Sequence, residues 1–261
     1  MIEFKQVCRS YGDKLAVDHL DLRVAPGELY SLLGHNGAGK TTAIKMLVGL
    51  MRPGSGTVRV GGYDVVTQTR EAVSLIGYVP DQPFLYDKLS GRELLQFIVR
   101  MYGMEPRDAA RAIDREIERF ELGDFVDELT ETYSHGMKQR TVFASALLHN
   151  PRVLVVDEPM VGLDPHSIRL VKDLLQREVA DGMCVLMSTH TLGAAEEISQ
   201  RVGIMSFGRL LFDGTVDELR QQFGETNPTL EDMYLALTED KIRLREANDR
   251  AVQRQQEQMQ Q

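Results

Sequence analysis

Leu29-Tyr30-Ser31-Leu32-Leu33-Gly34-His35-Asn36-Gly37-Ala38-Gly39-Lys40-Thr41-Thr42 decides how the rest of the chain is read. Leu29–Leu33 has the composition of a buried strand, and a helical stretch, Lys40–Leu50, follows and stops at Arg52-Pro53-Gly54. Between them, Gly34–Thr41 fits the spacing G-x-x-x-x-G-K-[ST] in the strand–loop–helix setting that gives this pattern meaning. Glycines let the backbone turn successive N–H groups inward toward phosphate oxygens. The helix start beneath adds partial positive charge. Lys40 supplies a point charge for the β and γ oxygens, and the Thr41 hydroxyl is a ligand for Mg²⁺.

Two further stretches belong with this loop. Val153-Leu154-Val155-Val156-Asp157-Glu158 is an apolar run ending in two carboxylates, the pattern of a strand buried on both faces. Ligand chemistry in open α/β sheets gathers at the carboxyl ends of strands. Asp157 is then placed to organise Mg²⁺, and Glu158 to polarise a water attacking the γ-phosphate. Ser188-Thr189-His190 ends the next strand; if that strand neighbours Val153–Asp157, His190 reaches the same rim as Glu158.

Strands are expected at Ile2–Cys8, Ala16–Val24, Leu29–Leu33, Thr57–Val60, Leu75–Val79, Val153–Asp157, Cys184–Ser188 and Arg201–Ser206. Their alternation with helices, including Ser167–Val179, implies a mainly parallel sheet. The first, second and fourth are short, alternating and turn-linked, which implies an antiparallel side sheet. Residues 88–150 interrupt the alternation with three helices, Gly91–Met101, Arg107–Phe120 and Gly136–Leu148. Ile113, Ile117 and Phe120 form one apolar stripe on the second of these. Ser134 is expected to cap the third, offering free N–H groups to an anion, with Lys138 and Arg140 adding charge in that turn. From Lys241 the composition turns charged and then Gln-rich, with six Gln in the last nine residues, as in a frayed tail or a partner-binding helix.

Composition removes several classes of function. The longest uninterrupted apolar run, Met183–Met187, is five residues, against about 20 for a membrane-spanning helix. No secretory leader is expected from Met1-Ile2-Glu3-Phe4-Lys5. A net charge of −9 argues against wrapping a nucleic-acid duplex, so no nucleic-acid partner is expected. Cys8 and Cys184 have neither disulfide nor zinc spacing and are expected as small core residues.

In this order the motifs resemble the nucleotide-binding domain of ABC-type ATPases, over about residues 2–225. Gly34–Thr41 looks like the Walker A motif, Val153–Glu158 like Walker B with its catalytic glutamate, Gly162-Leu163-Asp164 like the D-loop, and His190 like the switch histidine. The resemblance implies an α/β fold: a P-loop NTPase, RecA-like core with an antiparallel β side sheet and an α-helical subdomain inserted at about 88–150. Residues 226–261 would form a C-terminal helical or frayed tail. It implies ATP and Mg²⁺ as ligands, with ATP held by Gly34, His35, Asn36, Gly37, Ala38, Gly39, Lys40, Thr41 and Thr42, and by Tyr11 stacking on adenine. Tyr133-Ser134-His135-Gly136-Met137-Lys138-Gln139 lies where the signature L-S-G-G-Q belongs and departs from it at Tyr133, His135 and Met137. Ser134 and Gly136 remain, and would bind the γ-phosphate held by a second ATPase subunit, the same chain or a different one.

The Q-loop position falls on Asp81 or on Gln82, either of which could ligate Mg²⁺. The implied activity is ATP hydrolysis driving a separate membrane permease, in the manner of bacterial ABC-2-like exporters, from the cytoplasmic face of the cell membrane. Pro83-Phe84-Leu85-Tyr86 would line the groove that receives the permease. The rival reading, a soluble ABC-type ATPase acting on ribosomes or nucleic acid, calls for two fused ATPase domains or a long coiled coil. Here there is one Walker A, and Asp157 follows Lys40 by only 117 positions.

Overall fold

A computed structural model describes residues 1–223 and 228–238. The strands segregate into two sheets. Four of them, β1 (Ile2–Tyr11), β2 (Lys14–Val24), β4 (Ser55–Val60) and β5 (Tyr63–Asp64), form an antiparallel sheet in the order β2-β1-β4-β5. The other six are β3 (Leu29–Leu33), β6 (Ile76–Val79), β7 (Val153–Asp157), β8 (Cys184–Thr189), β9 (Arg201–Ser206) and β10 (Arg209–Gly214), in the order β10-β9-β3-β8-β7-β6. All pairings in this sheet are parallel except β10 with β9. Every residue of β3, β7 and β8 is buried, as parallel strands covered on both faces require.

The register places the strand ends. Leu33 of β3 pairs with Thr189 of β8, and Asp157 of β7 pairs with Ser188 of the same strand. β8 therefore sits between the phosphate loop and Asp157-Glu158, and all three motifs leave the sheet at one rim.

Between β6 and β7 lie three helices, α3 (Gly91–Met101), α4 (Pro106–Arg119) and α5 (His135–Leu147), with a 3₁₀ turn at Thr130–Thr132. Ser90 starts α3 with a complete capping box, its hydroxyl accepting from the Glu93 N–H while the Glu93 carboxylate accepts from the Ser90 N–H. Ala109, Ala112, Ile113 and Phe120 are buried in the cluster that joins these helices to β7 and β8, with Ile117 packed against it. The expected stripe on α4 is thus the seam between insertion and core.

The helix expected at Ser167–Val179 is α6 (Pro165–Ala180), and several short elements add to those expected: α2 (Thr69–Val73), α7 (Leu192–Ile198), α8 (Val216–Phe223), and strands β5 and β10. A helix at 230–238 (α9) falls in the stretch expected to be helical or frayed. In the later helices the apolar residues meet partners far away in the chain: Leu219, Leu230 and Met233 pack on Leu33, Val202 and Ile204. Helix α1 (Lys40–Leu47) ends sooner than expected, since Gly49 takes a left-handed φ of 78°. The composition change from Lys241 lies outside the described residues.

Cys184 is core, but Cys8 is only half-buried. Gln6 and His19 take left-handed φ of 50° and 48° where the β1–β2 register slips, and this brings Cys8 Sγ to the His19 N–H, 3.2 Å away. Both oxygens of the neighbouring Asp18 are engaged, by the His19 ring and by Arg209 Nε, which hold its carboxyl below the usual range.

Candidate functional site

The phosphate loop runs from β3 into α1 (Lys40–Leu47). Gly39, the last residue before the helix, has φ 112°, and a Cβ there would sit 2.4 Å from the Ala16 carbonyl oxygen. At Gly34 the reason is space, because a Cβ would lie 2.5 Å from the Met205 carbonyl oxygen. The loop is thus pressed between the β1–β2 hairpin and the β9–β10 turn, where the Gly208 N–H donates to the Ala38 carbonyl at 2.7 Å. Lys40 is buried; its Nζ donates to the Gly34 carbonyl at 2.6 Å and lies 3.4 Å from Glu158 Oε1.

Glu158 joins the three motifs. Its Oε2 stands 2.9 Å from His190 Nδ1 and 3.2 Å from the His190 backbone nitrogen, while Oε1 faces Lys40. The backbone at Glu158 is left-handed (φ 49°), an uncommon conformation for a residue other than glycine, and it turns the side chain from the end of β7 toward the loop. Its N–H donates to the Ser188 carbonyl at 3.0 Å, anchoring the turn to β8.

Asp157, one residue earlier, is fully buried. The Ser188 hydroxyl donates to Oδ1, whereas Oδ2 has no hydrogen-bond partner among the described residues. The Thr41 hydroxyl also faces this carboxyl. Burial raises the Asp157 pKa, more than the nearby hydroxyls of Ser188 and Thr41 can offset, and the charge of Asp81 adds to the rise. A buried carboxylate with one oxygen bare and a hydroxyl beside it lacks positive charge. This donor set, all hard oxygens, fits Mg²⁺.

A cleft of about 250 Å³ is lined by Tyr11, Lys14, the phosphate loop, Thr41, Thr42, Asp81 and Glu158. Tyr11 ends β1 at its mouth, 47% exposed, with Arg9 over its ring at 5.7 Å. A neighbouring cavity of about 590 Å³ shares Asn36, Asp81 and Glu158 and adds Gln82, His135, Lys138, Gly162 and His190. Asp81 therefore reaches both spaces and Gln82 only the second. Ser134 caps α5, its hydroxyl accepting from the Met137 N–H at 3.3 Å, and is itself exposed. Neither Ser134 nor Gly136 lines the phosphate-loop cleft.

Comparison with known proteins agrees with this geometry. Residues 17–161 match the family described as ABC transporter. The chain belongs to the ABC transporter family. It is 38% identical over 216 residues to the daunorubicin resistance ATP-binding protein DrrA3 of Streptomyces coeruleorubidus, covering 83% of this chain and 68% of that protein. Against the Nod factor export ATP-binding protein I of Paraburkholderia xenovorans it is 37% identical over 218 residues, covering 84% and 72%. A solved structure of the ATP-binding subunit of an ABC transporter superposes with a TM-score of 0.86 at 32% identity, over 91% of this chain and 99% of that one. This ABC chain is an ATPase with the P-loop fold expected of it, an antiparallel side sheet and a helical region included.

Ser188 carries no functional signal in the sequence, although its hydroxyl fixes Asp157 and its carbonyl fixes Glu158. Only the register of β7 against β8 reveals it. Lys14 and Ala16, at the loop's other wall, also show nothing beyond a strand pattern.

Proposed function

We propose that this ATPase binds MgATP in the cleft above Gly34–Thr42 and uses its hydrolysis to drive export through a separate membrane permease. The observation that carries this reading is the convergence of Lys40, Asp157, Glu158 and His190 at the ends of three adjacent strands. The loop amides and Lys40 hold the phosphates, and Tyr11 stacks on the adenine. Thr41 and Asp157 hold Mg²⁺, with Asp81 the nearer Q-loop candidate. When bound, the ion neutralises charge on the β and γ oxygens. Glu158 Oε2 takes a proton from the attacking water as the bond to the γ-phosphorus forms, and ADP leaves with the bridging oxygen. His190 orients Glu158 through Nδ1 and the backbone N–H.

Residues 2–225 are the ATP-binding domain in this reading, with 88–150 as its helical insertion and the segment from 226 an appendage. Ser134 and Gly136 act on the nucleotide of a second subunit, identical or different, because they do not reach this chain's own phosphate-loop cleft. The permease is a separate chain that places this subunit on the cytoplasmic face of the membrane; no helix among the described residues is long and apolar enough to cross one. Phe84 (78% exposed), Tyr86 and, on α3, Phe97 form an uncovered apolar surface where the insertion begins, with ring centroids 5.9 and 6.0 Å apart along Phe84–Tyr86–Phe97. Leu85 between them is buried and belongs to the core. Such a patch fits a partner's amphipathic helix. The names of the two relatives, one a resistance protein and one an export protein, support the outward direction.

Purified chain should release phosphate from MgATP, and Glu158→Gln should retain uncleaved ATP with turnover reduced about 10²- to 10⁴-fold. Turnover of the Gln variant at the original rate would remove Glu158 from the proton-transfer step.

A further inference from the structure

Although Tyr11 is 47% exposed, its ring is not loose. Its hydroxyl lies 3.2 Å from Met51 Sδ, a weak acceptor. Two residues back along β1, on the same side of the strand, Arg9 places its guanidinium carbon 5.7 Å from the ring centroid, within range of a cation–π contact. The guanidinium has an anchor of its own, since Nη1 donates to the Arg52 carbonyl at 3.2 Å. Arg9 Nε is buried and has no hydrogen-bond partner among the described residues. Part of this cation is therefore out of water, held by the tyrosine ring and one carbonyl.

Met51 and Arg52 belong to the segment that follows α1. Its start is tied back to the helix by the Met51 N–H, which donates to the Lys45 carbonyl at 3.0 Å. Its end is seated on β1 by the Gly54 N–H, which donates to the Cys8 carbonyl at 2.8 Å. Helix α1 begins at Lys40, so one continuous segment carries the phosphate loop at one end and the support of the Tyr11 ring at the other. The cleft of about 250 Å³ is lined by Tyr11 but by none of Arg9, Met51 and Arg52. The support stands outside the cleft and leaves it open.

We propose that Arg9 is a positioning residue for the base of the nucleotide: with Met51 and Arg52 it fixes the Tyr11 ring in the orientation that stacks an adenine entering from the cleft. The inference rests on the reading of Gly34–Thr42 as the nucleotide loop and of Tyr11 as its base platform, and it adds a residue that no motif includes. The physical logic is preorganisation. A half-exposed ring free to change rotamer would have to be ordered by the ligand, at a cost in affinity that a ring already clamped avoids. Arg9 touches neither base nor phosphates; it acts through Tyr11.

Arg9→Met keeps the aliphatic stem and removes the cation together with its bond to Arg52. Calorimetry on full-length chain carrying Glu158→Gln to prevent turnover should show the Kd for MgATP rising about two- to fivefold. The Kd for magnesium tripolyphosphate, which fills the phosphate loop but has no base to stack, should not change. Arg9→Lys returns a cation to the ring and should recover part of the loss. In a Tyr11→Leu background Arg9→Met should cost nothing more. A merely structural arginine would weaken both ligands together. Should Arg9→Met fail to fold, Arg9→Gln loses the charge, can still donate to Arg52, and should show the same loss for MgATP alone. An unchanged Kd for MgATP in the Arg9 variants, or an equal loss for both ligands, would overturn the proposal. The parent's own affinities separate this failure from others. A parent that binds neither ligand brings down the phosphate-loop reading, and one that binds both alike brings down the stacking role of Tyr11; either result takes this inference with it.

Discussion

The rim above β3, β8 and β7 and the exposed end of α5 are built on opposite principles. At the rim Lys40, Glu158 and Asp157 are buried or nearly so and each answers to a named neighbour: Lys40 to Gly34 and Glu158, Glu158 to His190, Asp157 to Ser188. At the α5 end, Ser134 and His135 are solvent-exposed, and their side chains cap their own helix or touch the Val161 carbonyl. In the proposed reading the first region holds the phosphates of one nucleotide. The second, in the same reading, offers helix N–H groups to the nucleotide of another subunit. On that reading the difference teaches that the molecule carries one chain's share of the groups for cleavage and a donor surface aimed elsewhere, which is what a subunit of a two-nucleotide assembly requires.

The sharpest way to break the contrast is at Lys40. Lys40→Ala takes a buried cation out of the rim, and MgATP affinity should fall by about two to three orders of magnitude, read by calorimetry. The same kind of substitution at the α5 end, Ser134→Ala, should leave the first nucleotide's affinity within about threefold. It should cost about 1 kcal/mol of stability through the lost cap, read by denaturant unfolding.

A second test uses the bare oxygen of Asp157. Because burial raises this pKa, the folded chain binds more protons than the unfolded one between the ordinary carboxyl range and the raised value. The metal-free protein therefore loses stability as pH rises through that window. Asp157→Asn keeps the shape and removes the charge. At pH 7 without Mg²⁺ it should be more stable than the parent by about 1–3 kcal/mol, an advantage that shrinks toward pH 4, while Mg²⁺-dependent phosphate release disappears. Thermal unfolding across pH, with and without the ion, reads both effects. A parent chain that is more stable than the variant at pH 7 would contradict the account of this carboxylate.

The smallest effect is expected on the apolar patch. Phe84→Asp should change the isolated chain's stability by less than about 0.5 kcal/mol, since Phe84 is 78% exposed. It should nonetheless prevent co-purification with the membrane permease. A large loss of stability would place Phe84 in the core after all.

The rim was legible in the sequence because its parts are local. A strand, a glycine loop and a helix start stand in sequence order at Leu29–Thr42, and an apolar strand ends directly in Asp157-Glu158. Even the meeting of His190 with Glu158 followed from one assumption, that their strands are neighbours, which the β7–β8 pairing satisfies. What stayed hidden depends on register or on packing across long separations. Ser188 looks like any strand-end serine until Asp157 is placed opposite it. Helix α9 has an apolar stripe, Leu230, Met233, Tyr234 and Leu237, within the stretch expected to be helical or frayed, but its place beneath the loop exists only through Leu33 and Ile204. Cys8 left the core because a β-bulge turned it toward His19, and nothing in a strand pattern marks the slipped residue.

The central claim is that this chain's cleft is half of a working site, completed by the signature end of another subunit. Phosphate release per chain should be measured across a dilution series of the purified protein, with its mass followed by light scattering at each concentration. The account predicts that specific activity falls as the chain becomes monomeric at 29.4 kDa. Full, concentration-independent turnover by that monomer would contradict it.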